Sequence, residues 1–573
     1  MKKFLLISLS LLVSNLIFAQ KYGNEWINFN QNYYKIKIGK EGIYRIDSAS
    51  LQSIGFPLSS VDPKNIQLWI NGEEQPILVN GENDGSFNSG DYIEFYGTYN
   101  DGKLDSSLYR NPDEQPHQYM SLYSDTATYF LTYTASTQGK RIQVNNDKDY
   151  TGKTADPYFL YEQVIWYNNK NGGQSFDGLG FSAAGFYSEY TEGEGWALQF
   201  SGGGTKFTFL TPYLSNLGPS PLLQVLAHSR ANNTSSYDAN GFNNGIQITF
   251  DASGKLIEEK RVTGYNKYYF EDSLAKSDIG SAFTRFKIAS SILAKSIHSI
   301  SYSKLTYPRL FNLNDSSNFH FDYTSKNNFI HFSKYPSGKS KPIVYDVNSF
   351  SKSNGEIIGT ELYCNLANSD NQKKLYILDE TSIISVSPSN LKPYKFNELN
   401  LALPYDYLII SNHLLDSGAK AYKDFLMTTN GGNHNTYLAF TDDIYDQFYF
   451  GVKHPKALQN FCRFAINSSS TLKFLLLLGK GQIYSNVRYN NILSNYWDLI
   501  PTCGNPATDY FFTSGFNGSV LEPLLATGRI PAKSNNEIRN YLKKISTNNQ
   551  NGYEVWKKRI LQLGGGATNT DVT

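Results

Sequence analysis

From Glu25 to about Val144 apolar and polar residues alternate with a period of two, and turn residues separate the runs. Tyr34, Ile36 and Ile38 alternate with lysines, and Gly39-Lys40-Glu41-Gly42 turns the chain into Ile43–Asp47. Ile66, Leu68 and Ile70 alternate ahead of Asn71-Gly72, a pair suited to a type I′ hairpin because both residues tolerate positive φ. Tyr92–Tyr96 and Thr128–Tyr133 supply further strands, so residues 25–150 read as an all-β domain. The loop Glu82–Asp91 is rich in oxygen ligands, with Asp84, Asn88 and Asp91 as candidates for calcium. It lacks the D-x-[DN]-x-[DN]-G spacing of an EF-hand, which favours a tight polar turn.

Strands continue from about Asp156 to Glu398, with glycine-rich corners such as Gly193-Glu194-Gly195-Trp196. Lys206–Leu210, Leu222–His228, Gly245–Phe250, Arg285–Ile288, Ile297–Tyr302 and Lys374–Leu378 fit the pattern. Their spacing predicts a sandwich or jelly roll over 156–335 and a smaller β unit over 336–398. At Leu403 the rhythm changes. Tyr405–Ser411 is nearly all apolar, as expected of a strand covered on both faces. Leu415, Ala419, Tyr422 and Leu426 then recur at helical spacing up to Asn430-Gly431-Gly432, and Thr436–Phe440 reads as a strand. Pro455 opens a helix whose buried stripe is Leu458, Phe461, Cys462, Ala465 and Ile466. Lys473–Leu478 is a third buried strand, Ser534 to Glu537 has the form of a capping box, and Arg559–Leu563 is the expected fourth strand. Strands alternating with helices predict a largely parallel sheet over 403–573, so the fold class is multidomain, β followed by α/β.

The ends of the chain add to this picture. Lys2 and Lys3 precede an apolar stretch from Phe4 to Phe18, too short to cross a bilayer, and Ala19 precedes a polar chain. This predicts a signal peptide over 1–19, hence export to the outer-membrane surface or the medium. The last residues leave an apolar run for a polar loop, and Thr573 reads as a truncation point. Of 573 residues, 52 are basic and 51 acidic; without Lys2 and Lys3 the balance is 50 against 51. No basic run stands out, which argues against nucleic acid as a partner. The three cysteines, Cys364, Cys462 and Cys503, rule out a dense disulfide framework and read as buried free thiols.

Two glycine-rich turns follow buried strands, Gly479-Lys480-Gly481 and Gly564-Gly565-Gly566. A dinucleotide fingerprint needs a glycine where Tyr484 stands, and no G-x-x-x-x-G-K-[ST] loop occurs, so the sequence gives no support for nucleotide binding. A thiol nucleophile needs a nearby base and oxyanion donors. Cys462 lies on an apolar helix stripe and Cys364 in the β region. Cys503, in a loop after a strand, is better placed, and His413 just past Ser411 is a base on the same predicted rim. Neither stands in an activating context. His454 precedes a helix and reads as a capping or surface residue, and no histidine pair has zinc-ligand spacing.

From Pro404 onward the order of segments is specific: the strand Tyr405–Ser411, then Thr441–Gly451, His454–Phe461, Phe474–Gly481, Pro501-Thr502, Thr508–Phe511 and Gly528–Ala532. This series resembles the gingipain family of cysteine peptidases, which share a caspase-like α/β fold. Tyr34–Asp47, Ile66–Val79, Gly90–Gly97, Ser121–Tyr133, Gly193–Trp196 and Thr306–Leu313 resemble its PorU-like branch, the sortases of the type IX secretion system. The resemblance implies a secreted cysteine endopeptidase or transpeptidase with protein or peptide substrates, working with type IX outer-membrane components; calcium, from the Glu82–Asp91 loop, is the one cofactor the residues raise. The resemblance places the catalytic histidine, in a Gly-His-Gly or Gly-His-Ser context, and the cysteine after the strand that is here Arg559–Leu563. Neither tripeptide occurs, so the expectation is a fragment without its catalytic pair. It also puts no nucleophile in the loop of Cys503. Asp509 and Arg529 are carried over to loops near the cleft, as substrate contacts or as a structural acceptor and its ion-pair partner. An inactive family member serving as a surface binding or assembly module is the alternative, and a carbohydrate-binding adhesin built on the 156–335 sandwich is a third reading.

Overall fold

The strand Tyr33–Ile38 buries Tyr33, Tyr34, Ile36 and Ile38 and leaves Lys37 exposed, as its alternation requires. It lies in a five-stranded sheet between Ala127–Tyr133 and Leu391–Tyr394, with Ile66–Ile70 and Glu73–Gln75 beyond. Facing it is a four-stranded sheet of Ile384–Ser385, Gly42–Asp47, Tyr92–Gly97 and Leu78–Val79, and one apolar core holds the two together. Ile70 pairs with Glu73 across Asn71 and Gly72, whose φ of 50° and 80° give the two-residue turn the dipeptide predicted. The computed structural model describes residues 22–560 apart from 174–188, 230–236, 293–296, 314, 315, 317, 368–371, 402, 490–496, 517–521 and 551–553. The expected signal segment, the 564–566 turn and Thr573 lie outside the described residues.

A second pair of sheets forms a sandwich. Leu198–Phe200, His298–Arg309, Leu222–Ser229 and Lys267–Ser273 make one layer, with Phe159–Trp166 also pairing on His298–Arg309. Thr205–Leu210, Phe283–Ser290, Asn244–Phe250 and Leu256–Val262 make the other. A third unit joins Asn318–Tyr323, Lys373–Asp379, Pro342–Asp346, Ser351–Asn354 and Gln143–Asn145 in one sheet, and Phe329–Phe332, Glu361–Asn365 and Glu356–Ile358 in another.

These pairings redraw the expected boundaries. Asn318–Tyr323 and Phe329–Phe332, placed by the sequence in the 156–335 sandwich, belong to the third unit. That unit also takes Gln143–Asn145 from the first domain and gives Ile384–Ser385 and Leu391–Tyr394 to it. Alternation marks a strand and its buried face but is silent about its partner, because ladder hydrogen bonds are made by the backbone. The seam is closed by Glu94, fully buried, which accepts from Arg45 (2.9 Å), Lys352 (2.7 Å) and the Tyr345 hydroxyl (3.0 Å).

The last unit is a parallel sheet in the order Thr436–Phe440, Tyr407–Ser411, Phe474–Leu478 and Ala526–Ile530. Leu408, Ile410, Leu475 and Leu477 pack toward the helices Thr441–Phe448 and Pro455–Ser468. Ile409, Leu476 and Leu478 pack on the other face, toward Asp416–Leu426 and Asn535–Gln550. Helices on both faces are why these strands read as unbroken apolar runs. The fourth described strand is Ala526–Ile530 and not the expected 559–563: Arg559 and Ile560 are outside any strand, and 561–563 lie outside the described residues. Ala526–Ile530 is only partly buried and carries Gly528 inside it, so its sequence gave no apolar run to detect. Among the described residues no helix is long and apolar enough to cross a membrane.

The first domain docks on this α/β unit. Lys35 Nζ meets Asp446 Oδ2 at 2.5 Å and lies over the Tyr394 ring, while the Thr128 hydroxyl donates to Gly451 O at 3.0 Å. Gly451 has φ 77°, and a Cβ there would come within 2.8 Å of Thr128 Cβ, so backbone and strand approach as closely as glycine allows. Asp446 is 4% exposed at its side chain, and its desolvation offsets much of the attraction to Lys35. Lys35→Met, which takes the cation from that buried carboxylate and leaves the Tyr394 hydroxyl bonded to it, is expected to lower stability by about 3 kcal/mol. Lys35→Met with Asp446→Leu should recover more than half of the loss, read as urea midpoints of the two variants beside the parent chain.

Candidate functional site

In open sheets of this kind ligands bind beyond the C-terminal ends of the strands. Here that rim is one wall of a cleft of about 670 Å³, and the first domain is the other. Asn412 and His413 leave the strand Tyr407–Ser411, and Asp442 and Asp443 open the helix that follows Thr436–Phe440. Lys35, Lys37, Thr128 and Tyr394 face them across the gap. The Asn412 side chain accepts from Leu414 N (3.0 Å) and donates to Thr441 Oγ1 (2.9 Å), which ties the two loops together. His413 stacks on Phe440 with ring centroids 4.2 Å apart, and its Nε2 lies 3.6 Å from Asp443 Oδ2.

Charges of both signs line the rim, with Lys35 and Asp446 paired between the two domains. Asp442 and Asp443 sit in the first turn of their helix, where the dipole favours anions. Burial pushes the Asp443 carboxyl up; neighbouring His413 opposes that and Asp442 adds to it. Burial raises Asp446 as well, against the pull of Lys35. Asp498 pairs with Lys453 at 2.8 Å and accepts from Gln482 N at 2.9 Å. None of these lysines and aspartates was named as a site candidate by the sequence: Asp442, Asp443 and Asp446 fell inside the segment Thr441–Gly451, but Lys35 and Lys37 stand more than 400 positions away and form no local motif with them.

Cys503 and His413, the candidate nucleophile and base without an activating context, are not brought together. His413 lines the large cleft, whereas Cys503 is buried among Tyr109, Tyr123, Tyr190, Trp196 and Tyr484 and borders a separate pocket. Burial raises all three thiols, Cys364 to about 12, so each is held as the neutral S–H. Arg529 lies on the strand Ala526–Ile530 rather than on a loop. Its Nε and one terminal nitrogen meet both Asp509 oxygens at 2.8 and 2.7 Å, and the remaining donors reach the carbonyls of Gly479, Ile500 and Pro501 at 2.8–3.3 Å. All five guanidinium donors are thus committed to the loops beside the sheet, which is the structural role and leaves none for a substrate. At the candidate calcium loop, Asp84 accepts from Ser86 N (2.9 Å) and Asn88 Nδ2 (3.0 Å), and Asp91 accepts from Asn88 N (2.6 Å). Those oxygens close a polar turn, and among the described residues no three acidic, histidine or cysteine side chains gather as metal ligands.

His454 behaves as a cap but not as a surface residue. It is fully buried; its Nδ1 accepts from Lys456 N (3.1 Å) at the start of the helix Pro455–Ser468. With Nδ1 an acceptor, the proton is assigned to Nε2, which donates to the fully buried Asp105 at 3.1 Å. Asp105 also accepts from Ser121 Oγ (3.0 Å) and Leu122 N (2.5 Å). The imidazole stacks on Tyr449 and meets the edge of Tyr123, whose hydroxyl donates to Thr502 O at 3.1 Å. Burial lowers the His454 pKa, Asp105 opposing that.

Two measurements follow from this geometry. A thiol reagent added to the native chain should react with none of Cys364, Cys462 and Cys503, and in denaturant all three should titrate. Because the folded state holds His454 neutral, the unfolded chain takes up the extra proton as pH drops below the ordinary histidine value of about 6.5. Stability should therefore fall from there toward the lowered pKa, and in His454→Asn the melting temperature should start lower at pH 7.5 yet decline less steeply to pH 5.

Residues 400–573 match the model of Peptidase family C25. The chain is similar in structure to dimeric latent PorU from Porphyromonas gingivalis, with a TM-score of 0.54 and 15% identity over 90% of this chain and 49% of that one. It thus spans about half the length of that solved protein. Two carbohydrate-binding domains each cover 25% of the chain at 11% identity. One is the CBM36-1 domain of a xylanase from the hindgut metagenome of Trinervitermes trinervoides (95% of that domain, TM-score 0.15), the other the C-terminal CBM6 of LamC from Zobellia galactanivorans (98%, TM-score 0.14). Likeness at those TM-scores carries no argument. No curated protein sequence matches. The gingipain-family resemblance therefore holds over 400–573, and the arrangement of β units ahead of the parallel sheet is that of a PorU-like multidomain fold.

Proposed function

We propose, taking 400–573 as a peptidase family C25 segment, that this chain carries the scaffold and one rim of the cleft of an exported gingipain-like cysteine peptidase or sortase-like transpeptidase of the type IX route. In this reading its own three thiols are structural and the catalytic histidine and cysteine are other residues, sought in the reading frame beyond Thr573. The observation that carries the reading is the parallel sheet within the matched segment, whose C-terminal rim opens on a peptide-sized cleft. The burial of Cys364, Cys462 and Cys503, which pushes each thiol's pKa up, supports the assignment of the nucleophile elsewhere.

The chemistry is acyl transfer. A thiolate adds to the carbonyl carbon of a peptide bond, the C–N bond breaks, and the histidine gives its proton to the departing amine. Water then cleaves the thioester in a peptidase, or an acceptor amine does so in a transpeptidase. Protein or peptide substrates and outer-membrane components of the export machinery are the proposed partners, and the cell surface or the medium is the proposed location.

A peptidyl acyloxymethyl ketone, which alkylates active thiolates, tests this. The chain as it stands should remain unlabelled and show no turnover of a fluorogenic peptide library. The product of the extended reading frame should be labelled at one cysteine, with turnover abolished by changing that residue to alanine. Labelling of Cys503 would overturn the structural reading of the thiols. An extended product that takes no label but binds an export component would favour the inactive binding module.

A further inference from the structure

A second pocket, about 210 Å³, shares no residue with the cleft. It lies between the helix Pro455–Ser468 and the turns around Cys503 and Phe511. Lys456, Gln459 and Arg463, at i, i+3 and i+7, project from one face of that helix into it. Gln459 is the bracket: its Nε2 donates to Phe511 O at 2.9 Å, and its Oε1 accepts from Lys456 Nζ at 2.6 Å.

The two cations have no carboxylate within ion-pairing distance among the described residues. Lys456 has only the neutral Gln459 oxygen. The Arg463 guanidinium lies 4.8 Å over the Phe516 ring, and its Nε is buried with no partner. Glu189, the carboxylate that borders the pocket, is 4.0 Å from Arg110 on the same rim. Burial and the nearby Arg463 lower Lys456 to about 8, with the Cys503 sulfur opposing. Two like charges held close together, one with a buried idle donor, form an arrangement that an anion relieves. Since liquid water takes about 30 Å³ per molecule, the pocket has room for a small anion and a few waters.

We propose that this pocket binds a small oxyanion, a carboxylate or a phosphate group, on Lys456 Nζ and the Arg463 guanidinium. The guanidinium fork would take two oxygens, with the ammonium completing the shell as a point charge. The inference needs no catalytic residue and is independent of the peptidase reading.

Isothermal titration of the full chain with inorganic phosphate, and separately with acetate, tests it against sodium chloride at matched ionic strength. One of the two anions should give a saturable isotherm: phosphate would assign a phosphoryl ligand, acetate a carboxylate. Affinity should weaken about tenfold or more in Lys456→Gln and in Arg463→Gln, the loss of one charge-assisted contact. It should also weaken as pH rises through about 8, where Lys456 loses its charge beside Arg463 and Cys503. Circular dichroism confirms that each variant is folded. Heats that match chloride for both anions, or folded variants that bind as the parent does, would overturn the proposal.

Discussion

The contact between His454 and Asp105 sets the relation between the two halves of the molecule. Both side chains are fully buried, one at the N-terminus of a helix in the α/β unit and the other in a short helical turn of the first domain. A carboxylate placed so deep is tolerable only because Ser121, Leu122 and the imidazole all donate to it. The same imidazole caps the helix Pro455–Ser468 with its other nitrogen, so one ring secures a helix start and an interdomain seam together. Protonation would remove the cap acceptor while leaving the carboxylate bond intact, which is why the neutral tautomer is the one that fits both.

Around that seam the other interdomain contacts fall into place. Tyr449, stacked on His454, donates to Leu104 O at 2.8 Å, and Tyr484 donates across to Gly195 O at 3.2 Å. With the domains locked in this pose, Lys35 reaches Asp446 and Thr128 reaches Gly451. The cleft is therefore a product of docking: its aspartates belong to the α/β unit, and Lys35 and Lys37 face them from the first domain. Lys35 meets Asp446 only because the two domains are in contact, whereas Lys453 and Asp498 pair within the α/β wall itself.

The two helices on the first-domain side of the parallel sheet do different work. Thr441–Phe448 presents carboxylates to the cleft from its first turns, whereas Pro455–Ser468 turns Lys456 and Arg463 toward a separate pocket. Their apolar faces share one core with Leu475 and Leu477, so the charge on their outer faces is fixed in place by packing. Arg529 performs the complementary task at the other edge, gathering three carbonyls and Asp509 so that the loops after the third strand hold their shape.

The sequence by itself determined the local elements. Period-two runs gave the strands of the first domain and the sandwich, Asn71-Gly72 gave its hairpin, and the apolar runs Tyr405–Ser411 and Lys473–Leu478 announced a sheet buried on both faces, realised as Tyr407–Ser411 and Phe474–Leu478. These signals are carried by neighbours in the chain, which must satisfy backbone geometry and burial wherever the segment ends up. Pairing was left to the tertiary structure: Leu391–Tyr394 returns to the first domain and Ala526–Ile530 closes the parallel sheet although its residues show no apolar run. The site was likewise decided there. Lys35 with Asp446, His454 with Asp105, and Lys456 with Arg463 at a pocket are defined by distance in space, and a buried charge differs from a solvated one only once the fold has chosen its neighbours.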